Sequence, residues 1–182
     1  MVIEAIHNRR SIRKYKDQPV EAEKLMEIIN CGRLAPSDTN TQPWNFIVVR
    51  SKEMRTKLAE VSHRQDWMVA APVFIVCVAD IRVRVATTET LPMCINEDTP
   101  GIALKQIILD TAIAGENIVL AAEALGLGTC WVSWFVQDEI RPVLDIPSDK
   151  YVVAIITMGY ADQTPKPRPR RPLDEVIRYE RW

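Results

Sequence analysis

The sequence predicts a single domain, spanning residues 1–182, that mixes α-helices with β-strands, and three observations carry that expectation. Apolar residues recur at helical spacing in 2–8 and again in 21–34, as they do in helices that bury one stripe. Runs of β-branched and aromatic residues of strand length stand at 44–50 and 72–80, where a pleated, covered surface would favour them. A third stretch, from 100 to about 126, is apolar nearly all round and long enough to cross a small domain. There is no internal repeat and no break in composition that would divide the chain.

Taken in order, Val2, Ile3, Ala5 and Ile6 give the first helix its apolar face, and Leu25, Met26, Ile28, Ile29 and Leu34 give the second. Pro19 stands just ahead of the second helix, where its fixed φ suits the approach to a helix. The segment APSDTNTQP is dense in turn formers and reads as an ordered loop. The two strand runs that follow are nearly continuous in apolarity, which predicts cover on both faces, with a helical stretch opening at Ser51 between them. Residues 81–101 show no clear period and are expected to form a variable lid or substrate-facing loop. Thr99 and Pro100 have the chemistry of an N-cap and a first helical position. From there Leu104, Ile107, Ile108, Ile113, Ile118, Val119, Leu120 and Leu125 leave a narrow polar stripe of Lys105, Asp110, Glu116 and Glu123. Such a helix spans more than about 30 Å, so part of its apolar surface is expected to meet a second subunit. A strand at 129–135, a short helix near 136–144 and a strand at 151–159 complete the core. In the tail, 163–182, four prolines between 165 and 172 favour an extended arm, with LDEVIRY as a last short helix.

Composition narrows the function. With 23 basic and 24 acidic residues and a formal charge of -1, no global field draws the chain to nucleic acid or to a membrane, so any anion site is local. No run resembles a signal peptide or an uncharged membrane span, and a cytoplasmic protein is expected. Cys31, Cys77, Cys94 and Cys130 lie far apart without a CxxC pair, and only His7 and His63 supply imidazoles, so neither a metal centre nor a Ser/His/Asp triad is expected.

Four constellations could carry chemistry. Arg9, Arg10, Ser11 and Arg13 offer paired guanidinium donors suited to a phosphate, or form a solvated basic turn. In the loop of Pro36, Ser37, Asp38, Thr39, Asn40, Thr41 and Gln42, the side-chain amides of Asn40 and Gln42 match the alternating donors and acceptors of a flavin's pyrimidine edge, or the segment simply connects helix to strand. The GLG at 126–128 follows a helix instead of opening one, which makes it a C-cap signal and not a dinucleotide fingerprint. Lys166, Arg168, Arg170 and Arg171 could meet a phosphate from the opposite side or face water, and no aromatic platform beside them suggests nucleic acid.

RRSIRKY, APSDTNTQPWNFIVV, ALGLGTCWVSWF and PKPRPRRPLDEVI, in this order over roughly residues 3–179, resemble the nitroreductase family. The resemblance implies an α+β fold with a central, mostly antiparallel sheet flanked by helices, in an intertwined homodimer with two FMN sites at its interface. It implies that Arg9, Arg10, Ser11 and Arg13 hold the FMN phosphate, ribityl chain and ring edge, with Arg10 or Arg13 near N1 and O2. Lys166 and Arg168 resemble the late basic pair on the phosphate, with Arg170 an alternative register, and Pro36, Ser37, Asn40 and Gln42 the loop that meets the flavin, partly from the partner subunit. Trp131, Val132, Ser133 and Trp134 align with the strand end that packs on one flavin face.

The implied activity is reduction of a small electron-poor acceptor, such as a nitro compound, a quinone or a flavin, by NADH or NADPH in a ping-pong hydride mechanism. The flavin carries the electrons, so no catalytic side chain is required. Same-fold reductive dehalogenation or flavin fragmentation, and a flavin-binding module without turnover, are the alternatives. Ser133 and Trp134 stand where many members carry an acidic residue, a departure that bears on the acceptor.

Overall fold

The computed structural model describes residues 2–86 and 100–182, so most of the expected lid, the Thr99 cap and Cys94 lie outside the described residues. Four strands, β1 (Trp44–Val49), β2 (Val73–Asp80), β3 (Gly128–Val132) and β4 (Lys150–Gly159), form one antiparallel sheet in the order β1-β2-β4-β3. Trp44 pairs with Ala79, Val73 with Met158, and Gly128 with Gly159. Among the described residues there are six α-helices, from α1 (Val2–Asn8) to α6 (Leu173–Val176), and with the sheet they make an α+β fold.

Strand β2 explains the layering. Its side chains alternate between two cores, as the pleat requires. Phe74, Val76 and Val78 pack with Leu58, Met68, Ile140 and Ile155 beneath α3 (Lys52–Val61) and α5 (Gln137–Val143). Val73, Ile75 and Cys77 pack with Leu25, Ile28, Ile118 and Val119 of α2 (Ala22–Arg33) and α4 (Pro100–Ala124). Every β2 residue from Val73 to Ala79 is buried. The expectation of cover on both faces fails for 44–50: β1 is an edge strand, and Asn45 and Val48 are exposed. Apolar content marks a strand but does not reveal how many neighbours it has.

The caps follow local chemistry. Ser51 accepts a hydrogen bond from the Met54 amide and starts α3, as an N-cap hydroxyl does. Gly126, at φ +78, ends α4, with the Leu127 amide donating back to the Ala122 carbonyl at 2.8 Å. The strand expected at 129–135 is shorter than its composition suggested: β3 ends at Val132, and Ser133 and Trp134 leave the sheet.

Helix α4 departs from its expected stripe. Asp110 is 7% exposed, whereas Leu109 and Ile113 are 53% and 43% exposed. The carboxylate turns inward because it accepts the Asp38 amide at 3.2 Å, and the apolar pair is left on the surface.

Candidate functional site

The chain after α1 runs along the far edge of the sheet. The Ile12 amide donates to the Thr129 carbonyl at 2.8 Å and the Lys16 amide to the Tyr160 carbonyl at 2.9 Å, with Ser11 bridged in parallel to Thr129 and Tyr15 bridged to Ala161. These pairings lay the arginine segment beside the point where the chain leaves β4 for the arm. Residues 5 to 15 and residues 160 to 170, opposite ends of the sequence, thereby become neighbours.

Between them lies a cavity of about 760 Å³ lined by Arg9, Arg10, Ser11 and Arg13 from one end of the chain and Lys166, Arg168 and Arg170 from the other. Its remaining lining is Ile6, His7, Gln163, Pro165 and Pro167, so among the described residues no carboxylate faces into it. Six fixed cations and a hydroxyl around one cleft favour an oxyanion of high charge density, because guanidiniums offer paired donors and stay ionised.

Acidic groups sit behind the arginines. Glu116 of α4 holds Arg9 Nε at 4.0 Å with one oxygen and accepts from Trp131 Nε1 at 3.1 Å with the other. Gly115 leaves room for that indole: a Cβ there would lie 2.5 Å from Trp131 Cη2. Burial raises the Glu123 carboxyl above its ordinary value, opposed by the charges of Arg10 and Arg9. Arg10 turns one nitrogen onto the His7 and Arg9 carbonyls at 2.7 and 2.8 Å, and Arg13 lies over the Trp67 ring at 5.5 Å.

The loop residues Pro36, Ser37, Asn40 and Gln42 come together in one tight turn, separate from the residues that line this cavity. The Gln42 amide donates to Ser37 Oγ at 3.0 Å, the Asn40 amide to the Ser37 carbonyl at 3.0 Å, and the two side-chain amides meet at 3.3 Å. Thr39, Asn40 and Gln42 all adopt left-handed φ values of 50, 58 and 48, which non-glycine residues hold only under constraint.

At the end of β3, Val132 is buried in the core, so only its backbone can face a ligand. Trp134 is 67% exposed and stacks on His63 with ring centroids 4.2 Å apart. Sequence reasoning passed over His63, Glu116 and Gln163, since each gains its place from a contact distant in sequence. Among the described residues there is no metal-binding cluster and no helix long and apolar enough to cross a membrane.

Comparison with known proteins gives a consistent picture. The model of the nitroreductase family matches residues 6–160. An FMN reductase of Bacillus subtilis that uses NAD(P)H is 33% identical over 185 aligned residues, covering 100% of this chain and 74% of that protein. The solved structure of an FMN-dependent nitroreductase of Clostridium difficile superposes with a TM-score of 0.81 at 32% identity, covering 99% of both chains. The NADPH:FMN oxidoreductase of Vibrio harveyi, solved in complex with NAD+, superposes with a TM-score of 0.87 at 26% identity over 100% of this chain and 77% of its own.

Proposed function

The chain belongs to the nitroreductase family, and from that premise we propose that it is an FMN-dependent oxidoreductase that uses NADH or NADPH to reduce a small electron-poor acceptor such as a nitro compound, a quinone or a flavin. The single observation that carries this reading is the cavity in which Arg9, Arg10, Ser11 and Arg13 face Lys166 and Arg168 without an intervening acid. That donor set fits a phosphate monoester, which is the most highly charged end of FMN.

FMN, when bound, would supply the redox chemistry of a ping-pong reduction by NADH or NADPH. The protein binds and orients. Arg9, Arg10, Ser11 and Arg13 hold the phosphate, ribityl chain and nearby ring edge, and Lys166 and Arg168 meet the phosphate, with Arg170 as the alternative in the arm. Pro36, Ser37, Asn40 and Gln42 form the loop that meets the flavin, with the amides of Asn40 and Gln42 reading the polar ring edge, and Trp131, Val132, Ser133 and Trp134 form the wall for one ring face. No side-chain nucleophile is needed.

The loop stands apart from the cationic cavity within one chain, so a homodimer in which the partner's loop completes each site fits the arrangement. Exposed Ile3 and Ile6 on α1, Leu109 and Ile113 on α4, and Tyr179 and Trp182 in the arm supply apolar surface for it. The reading takes residues 1–182 as one domain with 163–182 as its arm. It puts the enzyme in the cytoplasm, where thiols such as Cys31, Cys77 and Cys130 stay reduced.

The test is the absorbance spectrum of the purified protein, followed by anaerobic NADH or NADPH. A flavin band near about 450 nm that bleaches supports the reading. A protein that neither carries nor takes up FMN rejects it.

A further inference from the structure

The loop of Asn40 and Gln42 is gripped from two sides at one residue, Asp38. Arg84 Nη2 meets the Asp38 carboxylate at 2.7 Å and its carbonyl at 2.9 Å, and reaches Thr39 Oγ1 at 3.2 Å. The Asp38 amide donates to the Asp110 carboxylate, which is nearly buried on α4, at 3.2 Å. Thus the side chain, the carbonyl and the amide of Asp38 are all engaged. Just downstream, the Asp80 amide holds the Pro43 carbonyl at 2.7 Å, so the chain leaving β2 clamps both ends of the loop.

The grip lies where strain is concentrated. Thr39, Asn40 and Gln42 are left-handed, conformations that non-glycine residues keep only where surrounding contacts offset their cost. Thr39 is β-branched, which makes its conformation the most costly of the three. Charge-assisted contacts from a single Arg84 nitrogen, Nη2, hold Asp38 in that geometry, and Arg84 itself touches neither Asn40 nor Gln42 in any hydrogen bond of the structure.

We propose that Arg84 is a positioning residue: by fixing Asp38 from the side opposite the Asp110 carboxylate it sets the direction in which Asn40 and Gln42 present their amides. This rests on the reading that those amides meet the flavin ring. Loss of the grip then changes how the ring is held while every group that touches it remains.

The experiment compares full-length wild type, Arg84→Ala, Arg84→Lys, Asp38→Ala and the double variant R84A/D38A. FMN affinity is measured by quenching of flavin fluorescence, and ring setting by the circular dichroism of the bound flavin's visible bands. Arg84→Ala is expected to weaken FMN about tenfold, the weight of one charge-assisted contact, and to alter the visible dichroism. Arg84→Lys, which keeps the charge without the guanidinium's reach and planar geometry, recovers part of both. The double variant is no worse than Arg84→Ala alone. If Arg84→Ala fails to fold, Arg84→Lys carries the test through its own change in dichroism. Affinity and dichroism unchanged from wild type, even with a lowered melting temperature, overturn the proposal and leave the functional reading standing. A wild type that binds no FMN overturns both.

Discussion

The Tyr15 hydroxyl lies 2.8 Å from the Thr157 hydroxyl and donates to the Ile12 carbonyl at 2.7 Å, tying the arginine-bearing segment to the middle of the sheet. Burial pushes this phenol well above its ordinary range; the Thr157 hydrogen bond opposes the rise, Cys130 adds to it and Arg13 opposes it again. Burial also pushes the Cys77 thiol from 9.0 up to about 12. Both groups stay protonated in the fold when the unfolded chain would release the proton. Between the unfolded and folded values the native state therefore binds more protons, and stability falls as pH rises. The expected loss begins near about pH 9 and reaches at most about 1.4 kcal/mol per pH unit for each group. Urea denaturation across the alkaline range reads it, and Tyr15→Phe should flatten the slope while costing about 1 kcal/mol near neutrality. A stability that stays level through that range contradicts the account.

Trp131 depends on an absent side chain. Gly115→Ala would set a methyl 2.5 Å from the indole, and the ring, wedged beside the sheet, must shift. The expected cost is about 1–3 kcal/mol, a fall of some 2–4 °C in Tm for each kcal/mol, with a changed tryptophan emission. Glu116→Ala removes only the 3.1 Å acceptor of the indole and a 4.0 Å ion pair with Arg9, for about 1 kcal/mol. A Gly115→Ala protein as stable as wild type would show that the indole has room to move.

What could be read ahead follows from the range of each interaction. Ser51 and Gly126 announced helix boundaries because a cap is a contact between near neighbours. The residue types of the cationic cavity were equally visible. Their meeting was not, since it rests on Ile12 and Lys16 pairing with Thr129 and Tyr160, more than a hundred residues away; the family resemblance supplied it. Asp110, which belongs to the expected polar stripe, is buried for the same reason that Arg84 is paired: each is satisfied by Asp38, far upstream. The edge position of β1 depends on which strand stands on its other side, a fact no single strand's composition contains.

His63 and Arg64 hold consecutive left-handed conformations, at φ 55 and 54, but only His63 has a stacking partner, Trp134. Arg64→Gly removes the steric penalty of that backbone and should stabilise by about 1 kcal/mol. His63→Gly gains the same relief and loses a stacked ring worth about 0.5–1.5 kcal/mol, so its net change should be near zero. Thermal melts of the two variants separate the cases. A His63→Gly protein stabilised as much as Arg64→Gly would mean the stack contributes nothing.

The arginines of the cavity should behave as phosphate ligands and not as structural cations. Arg13 has a ring beneath it, Trp67 at 5.5 Å, and lines the cavity together with Lys166. Arg13→Ala should weaken FMN by about ten- to a hundredfold, the weight of one or two hydrogen bonds to a dianion. Lys166→Ala, the loss of a point charge from the arm, should cost less than the loss of a fork. Riboflavin, which has the ring without the phosphate, distinguishes anchoring from general damage: its binding should change little in either variant. Titration of FMN and riboflavin side by side at low and high salt reads this, and FMN affinity should fall as salt screens the cleft. Equal losses for both ligands would place the arginine on the ring and not on the phosphate.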